Sequence, residues 1–270
     1  MKIITNLNGG LGNQMFQYAF ARGLAAHFNC PIALNTQGLS AHAVKRDYSL
    51  SIFNLDETTH IDNQDYGYNN IFIRDYGATF HKDYISGTIQ ALEKLLENNQ
   101  ADKNIVIEGY FQDSNLFSGI VDKLKQDFKL NTENEIAFET LPQTPVVLQV
   151  RRGDFIGNGF HQVCTKEYYN KAIELAVEKF KDPIFIIVSE DPQWCVENLD
   201  LKDKSYDMKL NATIEEDYNR MYKCKNFIIS NSSFGRWPAY LYGNFVICPE
   251  KWYNNGESAL ILPKRNALKV

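Results

Sequence analysis

Short apolar runs alternate with stretches of helical period along most of the chain. Lys2–Thr5 reads as a first strand, Asn6–Gln14 as a Gly/Asn loop, and Met15–Phe28 as a helix with Phe16, Ala19, Phe20, Gly23 and Leu24 on one face. Pro31–Asn35 predicts a second strand, Ile89–Asn98 a helix, Ile105–Phe111 a strand and Phe117–Phe128 another helix. Between Thr36 and Thr88 Tyr, Asn and Asp are dense and the period is poor, so an irregular insertion is expected there. Asn131–Pro145 is polar, holds Pro142 and Pro145, and reads as a linker. Beyond it the alternation sharpens: strands at Val146–Val150, Ile184–Val188, Phe227–Ser230 and Phe245–Cys248, and helices at Tyr168–Phe180, Gln193–Asn198, Glu215–Lys223 and Phe234–Tyr242. Strands apolar along their whole length and separated by helices belong in parallel sheets covered on both faces. The expected fold is α/β, with two Rossmann-like halves, residues 1–140 and 145–270, facing a cleft.

Composition narrows the function. At 270 residues with 44% hydrophobic and 23% charged positions the chain can bury a full core. Its net charge of −5 argues against a nucleic-acid binder, which needs a basic face. Cys30, Cys164, Cys195, Cys224 and Cys248 are scattered, with no zinc-ligand spacing, and predict buried thiols in a reducing compartment. Three or four apolar residues before a polar Gly loop are too few for a signal peptide, and no run has the length of a spanning helix. A cytoplasmic location is expected, with room for peripheral contact with a membrane.

Four strand-to-helix turns carry candidate chemistry. In Asn8-Gly9-Gly10-Leu11-Gly12-Asn13-Gln14, glycines let backbone N–H groups approach an anion at a helix start, though a tight turn needing positive φ explains the same residues. In Gln149-Val150-Arg151-Arg152-Gly153-Asp154-Phe155, alternation sends one arginine toward a ligand and the other into packing or an ion pair. A guanidinium fork suits a diphosphate; an Arg–Asp pair capping the strand is the competing role. Ser189-Glu190-Asp191-Pro192 reads as a helix N-cap followed by Pro, or as a carboxylate that bonds a base or ribose. Ile229-Ser230-Asn231-Ser232-Ser233-Phe234 reads as a phosphate cradle or a simple serine cap. Together these groups are suited to a nucleotide diphosphate carrying a sugar.

The four stretches, in this order, resemble the α-1,2-fucosyltransferases of glycosyltransferase family 11. Glu108-Gly109-Tyr110-Phe111-Gln112 and Pro249-Glu250-Lys251-Trp252 are similar to that family too. The resemblance implies a GT-B-like fold, GDP-L-fucose as donor, a galactose-type 2-hydroxyl as acceptor, and inverting transfer without metal or other cofactor. It implies that Arg151 contacts the diphosphate, Asp191 the guanosine, and Ser232 and Ser233 the phosphates, with Phe234 beside them. Gly10, Gly12 and Asn13 then lie near the reacting centre. Gln149 stands where the family usually has His, beside the guanine; a carboxamide can donate and accept but cannot be charged.

On this reading Arg151 stabilises the departing diphosphate, a task that metal-dependent enzymes give to a cation on Asp-x-Asp, a motif this sequence lacks. Asp154 is the candidate base for the acceptor hydroxyl, with pairing to Arg152 as its structural alternative. Two rival functions remain open: transfer from another GDP-sugar, motivated by Gln149, and a non-catalytic glycan- or nucleotide-binding module. The acceptor side includes lipid-linked glycans built at a membrane surface.

Overall fold

β1 (Ile3–Asn6) is the central strand of a five-stranded, wholly parallel sheet and is flanked in register by β2 (Ile32–Asn35) and β5 (Ile105–Glu108). β3 (Thr59–Ile61) and β4 (Ile71–Arg74) close the two edges, giving the order β3-β2-β1-β5-β4. The computed structural model describes residues 1–41, 45–67, 70–75, 89–94, 103–131, 142–255 and 267–270. The chain divides into two units, Met1–Asn131 and Thr132–Val270. Most of the expected linker lies outside the described residues.

In the first unit, α1 (Leu11–Phe28) starts four residues earlier than its apolar period suggests, because Gly10 in extended backbone caps it and Gly12 and Asn13 already lie in its first turn. It buries Met15, Phe16, Tyr18, Ala19 and Phe20 against the sheet and its loops. The short helix α2 (Gly38–Ala41) and the helical residues 89–94 (α3) follow. The expected helix over Phe117–Phe128 is two 3₁₀ turns at Ser114–Leu116 and Ser118–Ile120, then α4 (Val121–Asp127). The segment from Thr36 to Thr88, expected to be irregular, contributes β3 and β4.

The second unit holds a six-stranded parallel sheet, ordered β11-β10-β9-β6-β7-β8. Its strands are β6 (Thr144–Val150), β7 (Pro183–Ser189), β8 (Ser205–Met208), β9 (Asn226–Ile228), β10 (Phe245–Cys248) and β11 (Ala267–Lys269). β6 begins at Thr144, so Pro145 belongs to the sheet rather than to the linker, and it lies opposite Ile184. Counted from β6, this is the doubly wound order 3-2-1-4-5-6 of dinucleotide-binding sheets. The helices are α5 (Lys166–Phe180), α6 (Pro192–Asn198), α7 (Ile214–Tyr222) and α8 (Ser233–Tyr242). Alternation along β6 feeds both faces: Val146, Leu148 and Val150 pack with Tyr169, Ala172 and Ile173 of α5, and Val147 packs with Met221 of α7 and Ala239 of α8. Two such covered faces are what continuous apolar strands require.

Candidate functional site

The second sheet reverses its winding at one place, and open α/β sheets bind ligands beyond the carboxyl ends of the strands there. In the second unit the reversal lies between β6 and β9, so the Arg151-Arg152 turn and the Ser230–Ser233 turn flank it. In the first unit the carboxyl ends of the neighbouring strands β1 and β5 lead into the Gly9-Gly10 turn and Gly109–Gln112.

The arginine turn is shaped by Gly153, whose φ of +44° lies in the left-handed region that glycine tolerates best. The bend folds Asp154 back beneath Arg151, and Arg151 Nη2 donates to Asp154 Oδ1 at 2.6 Å. Arg151 Nη1 also pairs with Glu190 Oε1, and its guanidinium carbon sits 5.2 Å from the Phe155 ring centroid. The Arg151 side chain keeps 26% exposure and Asp154 55%, so the pair opens to solvent. Arg152 turns the other way. Its Nε donates to Asp191 Oδ2 at 3.3 Å and its guanidinium lies over Trp194 at 3.7 Å. Asp191 also accepts the Trp194 N–H at 3.1 Å, which makes it the N-cap of α6 ahead of Pro192. Arg152 thus takes the ion-paired, packed position, but its carboxylate is Asp191; Asp154, weighed as the partner of Arg152, pairs with Arg151 instead. Two guanidinium groups meet three carboxylates here. Any diphosphate reaching Arg151 competes with Glu190 and Asp154.

Gln149 is buried at 3% exposure, and its Oε1 accepts from Ser230 N at 3.1 Å and Ser230 Oγ at 2.7 Å, tying β6 to β9 where the winding reverses. A Cβ on Gly235 would stand 2.6 Å from that same oxygen, so α8 approaches the carboxamide through a glycine. Asn231 is structural as well, donating to the carbonyls of His161 at 2.8 Å and Trp252 at 2.9 Å. Ser232 caps α8 by accepting the Phe234 N–H at 3.3 Å, while Ser233 and Phe234 are half-buried at the helix start. Beneath them Arg236 is fully buried, its guanidinium 4.3 Å from the Trp252 ring.

His161, unmarked by sequence reasoning, lines the Arg151 pocket with Phe155 and Trp194. Burial pushes its pKa below the ordinary value; Asp154 opposes that and Arg151 adds to it. Asp217 on α7 is also new: burial pushes it up to about 6, with Arg220 pulling the other way from 3.8 Å. Asp217 lies within the expected Glu215–Lys223 helix and His161 just after Gly157-Asn158-Gly159, but nothing in the residues around either marks it as a functional group.

In the first unit Gly9 (φ +75°) is the glycine the turn requires, since a Cβ there would meet Asn13 Nδ2 at 2.5 Å. Around Gly10 nothing lies within 4 Å of where a Cβ would stand. Asn13 Oδ1 accepts from Gln112 at 2.8 Å, and the buried Gln17 accepts from Asn8 N–H and donates to Gly109 O at 2.9 Å, stitching the two turns together. Among the described residues no group of three or more His, Cys, Asp or Glu gathers to hold a metal ion.

Comparison with known proteins connects these turns to one family: residues 1–259 match the model of "Glycosyl transferase family 11". The chain belongs to glycosyltransferase family 11. Among the relatives of this family 11 chain is an alpha-1,2-colitosyltransferase of Escherichia coli, 27% identical over 94% of this chain and 93% of that protein. The O-antigen biosynthesis glycosyltransferase WbnK of Escherichia coli is 29% identical over 95% and 97%. The galactoside alpha-(1,2)-fucosyltransferase 1 of Rattus norvegicus is 33% identical over 39% of this chain and 30% of its own. The fold is also that of the NodZ alpha-1,6-fucosyltransferase co-crystallised with GDP: TM-score 0.56 at 12% identity, covering 91% of this chain and 93% of that one. This family 11 chain is therefore a glycosyltransferase of the GT-B-like class. No helix among its described residues is long and apolar enough to cross a membrane.

Proposed function

We propose that the protein transfers L-fucose from GDP-L-fucose to the 2-hydroxyl of a galactose-type acceptor, with inversion at the anomeric carbon and without a metal ion, in glycan or surface polysaccharide synthesis. The observation that carries this is Arg151 at the winding reversal of a six-stranded doubly wound sheet, opposite the serine turn that starts α8. Donor diphosphate entering this turn draws the guanidinium away from Asp154 and Glu190. The fork then neutralises the charge that grows as the glycosidic bond breaks. Asp154, released from its 2.6 Å bond to Arg151, then takes the proton of the attacking hydroxyl. Ser233 and the N-terminal amides of α8 add donors for the phosphates. Asp191 stays with Arg152 and α6 and holds the neighbouring turn in shape. Gln149 acts on the donor by fixing Ser230 and the start of α8. Acceptors carried on lipid require contact with a membrane surface, and none beyond peripheral contact is invoked.

The test is GDP release and product mass with GDP-L-fucose and a panel of β-galactosides, with and without EDTA. Transfer that survives EDTA is expected; no product across the panel overturns the reading. Arg151→Ala should cut turnover by roughly 10²–10³, the cost of removing a preorganised charge-stabilising donor, while the protein stays folded. Near-normal turnover would remove Arg151 from the mechanism.

A second donor has a specific observation in its favour, the relative named as an α-1,2-colitosyltransferase and aligned over nearly the whole chain. Colitose is the 3-deoxy counterpart of L-fucose, so competition between the two GDP-sugars in the same assay decides between them.

A further inference from the structure

We propose that Phe155, Phe160, His161 and Tyr253 form a rigid aromatic shelf on which a neutral acceptor sugar stacks by one pyranose face. The inference rests on the donor reading of Arg151 and adds where the acceptor sits on the second unit. The rings form a chain. Phe155 stacks on His161 (centroids 4.8 Å, 19°), and Phe160 stacks on Tyr253 (4.6 Å, 19°). The two stacks join edge-on through His161, which lies 4.9 Å from Phe160 and 5.6 Å from Tyr253. Phe160 is 46% exposed and Ile156, four residues earlier in the same loop, 53%, apolar surface that costs solvation unless a ligand covers it.

The shelf is braced before any ligand arrives. Asn254 donates to Gly159 O at 2.7 Å and, through its backbone N–H, to Phe160 O at 3.1 Å. The Gly157 N–H donates to Gln162 Oε1 at 2.7 Å, and Asn231 holds both the His161 and Trp252 carbonyls. Such bracing lowers the ordering cost of binding. The shelf is continuous with the proposed reacting centre, since Phe155 lies under the Arg151 guanidinium and lines the same pocket as Ile156 and His161.

The chemistry selects the occupant. Burial favours the neutral form of the His161 imidazole, and the neighbouring guanidinium groups are already paired with carboxylates. The shelf therefore offers ring faces without net charge. Its rim is carboxamide: Asn158, Gln162 and Asn254. An anionic lipid surface calls for a basic rim, and Lys251 is the only Lys or Arg between residues 153 and 165 or 249 and 255. Apolar faces edged by amides match a sugar, with its C–H face and its ring of hydroxyls.

Phe160→Ala and Phe160→Leu are compared with wild type by transfer kinetics, with lactose as the first acceptor probe, and by calorimetry with GDP. Leucine keeps apolar bulk but removes the ring. Both variants should raise the acceptor KM roughly tenfold, the loss of one aromatic contact, with kcat and GDP affinity unchanged. Phe160→Trp should restore the KM. An unmoved KM in both variants, or wild-type behaviour of the leucine variant, overturns the shelf and leaves the donor reading standing. A wild type that neither binds GDP nor transfers to any β-galactoside overturns both.

Discussion

Glu190 and Asp154 hold Arg151 as a substrate phosphate would, and that competition has a measurable consequence. Glu190→Gln removes one rival charge but still accepts the Arg152 N–H, which Glu190 Oε2 now holds at 3.2 Å. GDP affinity should therefore rise severalfold in calorimetry, most clearly at low salt. Weaker binding would mean that Glu190 positions Arg151 rather than competing for it. Asp217 gives a different residue-scale test. Its carboxyl titrates near 6 in the fold against an ordinary 3.8, so the folded state holds its proton more tightly. That contribution to stability is complete below about pH 4 and is lost as pH rises through about 6. Asp217→Asn should remove this slope and be more stable than wild type at pH 7.5 by roughly 1–3 kcal/mol. Urea titrations at pH 4.5 and 7.5 check it; parallel shifts at both would refute the burial argument.

Elements differ in how plainly the sequence announces them. The central strands β1, β2, β5, β6, β7, β9 and β10 each carry an apolar run, and all are expected from the sequence within a few residues. The strands that escaped notice, β3, β4, β8 and β11, are the four sheet edges. An edge strand is covered less and pairs on one side only, so Thr59-His60-Ile61 and Ser205-Tyr206-Asp207-Met208 show no apolar run. Helix starts were legible where a cap or proline stood, as at Asp191-Pro192, and misplaced at α1, where glycines begin the helix. The four turns were found because strand ends followed by Gly, Arg or Ser stand out locally. Which arginine pairs with which carboxylate depends on Gly153 φ, and residue order does not encode that. The contact of α8 with β6 is testable at this scale. Gly235→Ala would push a methyl against the Gln149 carboxamide and should cost about 1–3 kcal/mol. Adding Gln149→Ala should recover part of the loss in thermal unfolding; strict additivity would show that the two do not touch.

Across the whole molecule, the thiols of Cys195, Cys224 and Cys248 are buried and those of Cys30 and Cys164 half-buried. Burial pushes Cys164 and Cys224 up to about 12 and Cys195 and Cys248 up to about 11. Cys30 is also raised, less steeply, and all five are free. Thiolate is the reactive form, so alkylation of the native protein at pH 8 should be slow at every cysteine. All five should label promptly in guanidinium chloride. Fast labelling of Cys195, Cys224 or Cys248 without denaturant would mean that the second unit opens locally far more often than its packing suggests.

Gln149 lies in the interior of the second sheet. A carboxamide there keeps one protonation form from acid to alkaline conditions, so the fastening between β6 and β9 does not loosen as acidity changes. An imidazole in that position would gain a proton near pH 6 and strain the serine turn with it. Any acid limb in the activity profile must then originate outside this fastening, among groups that solvent reaches.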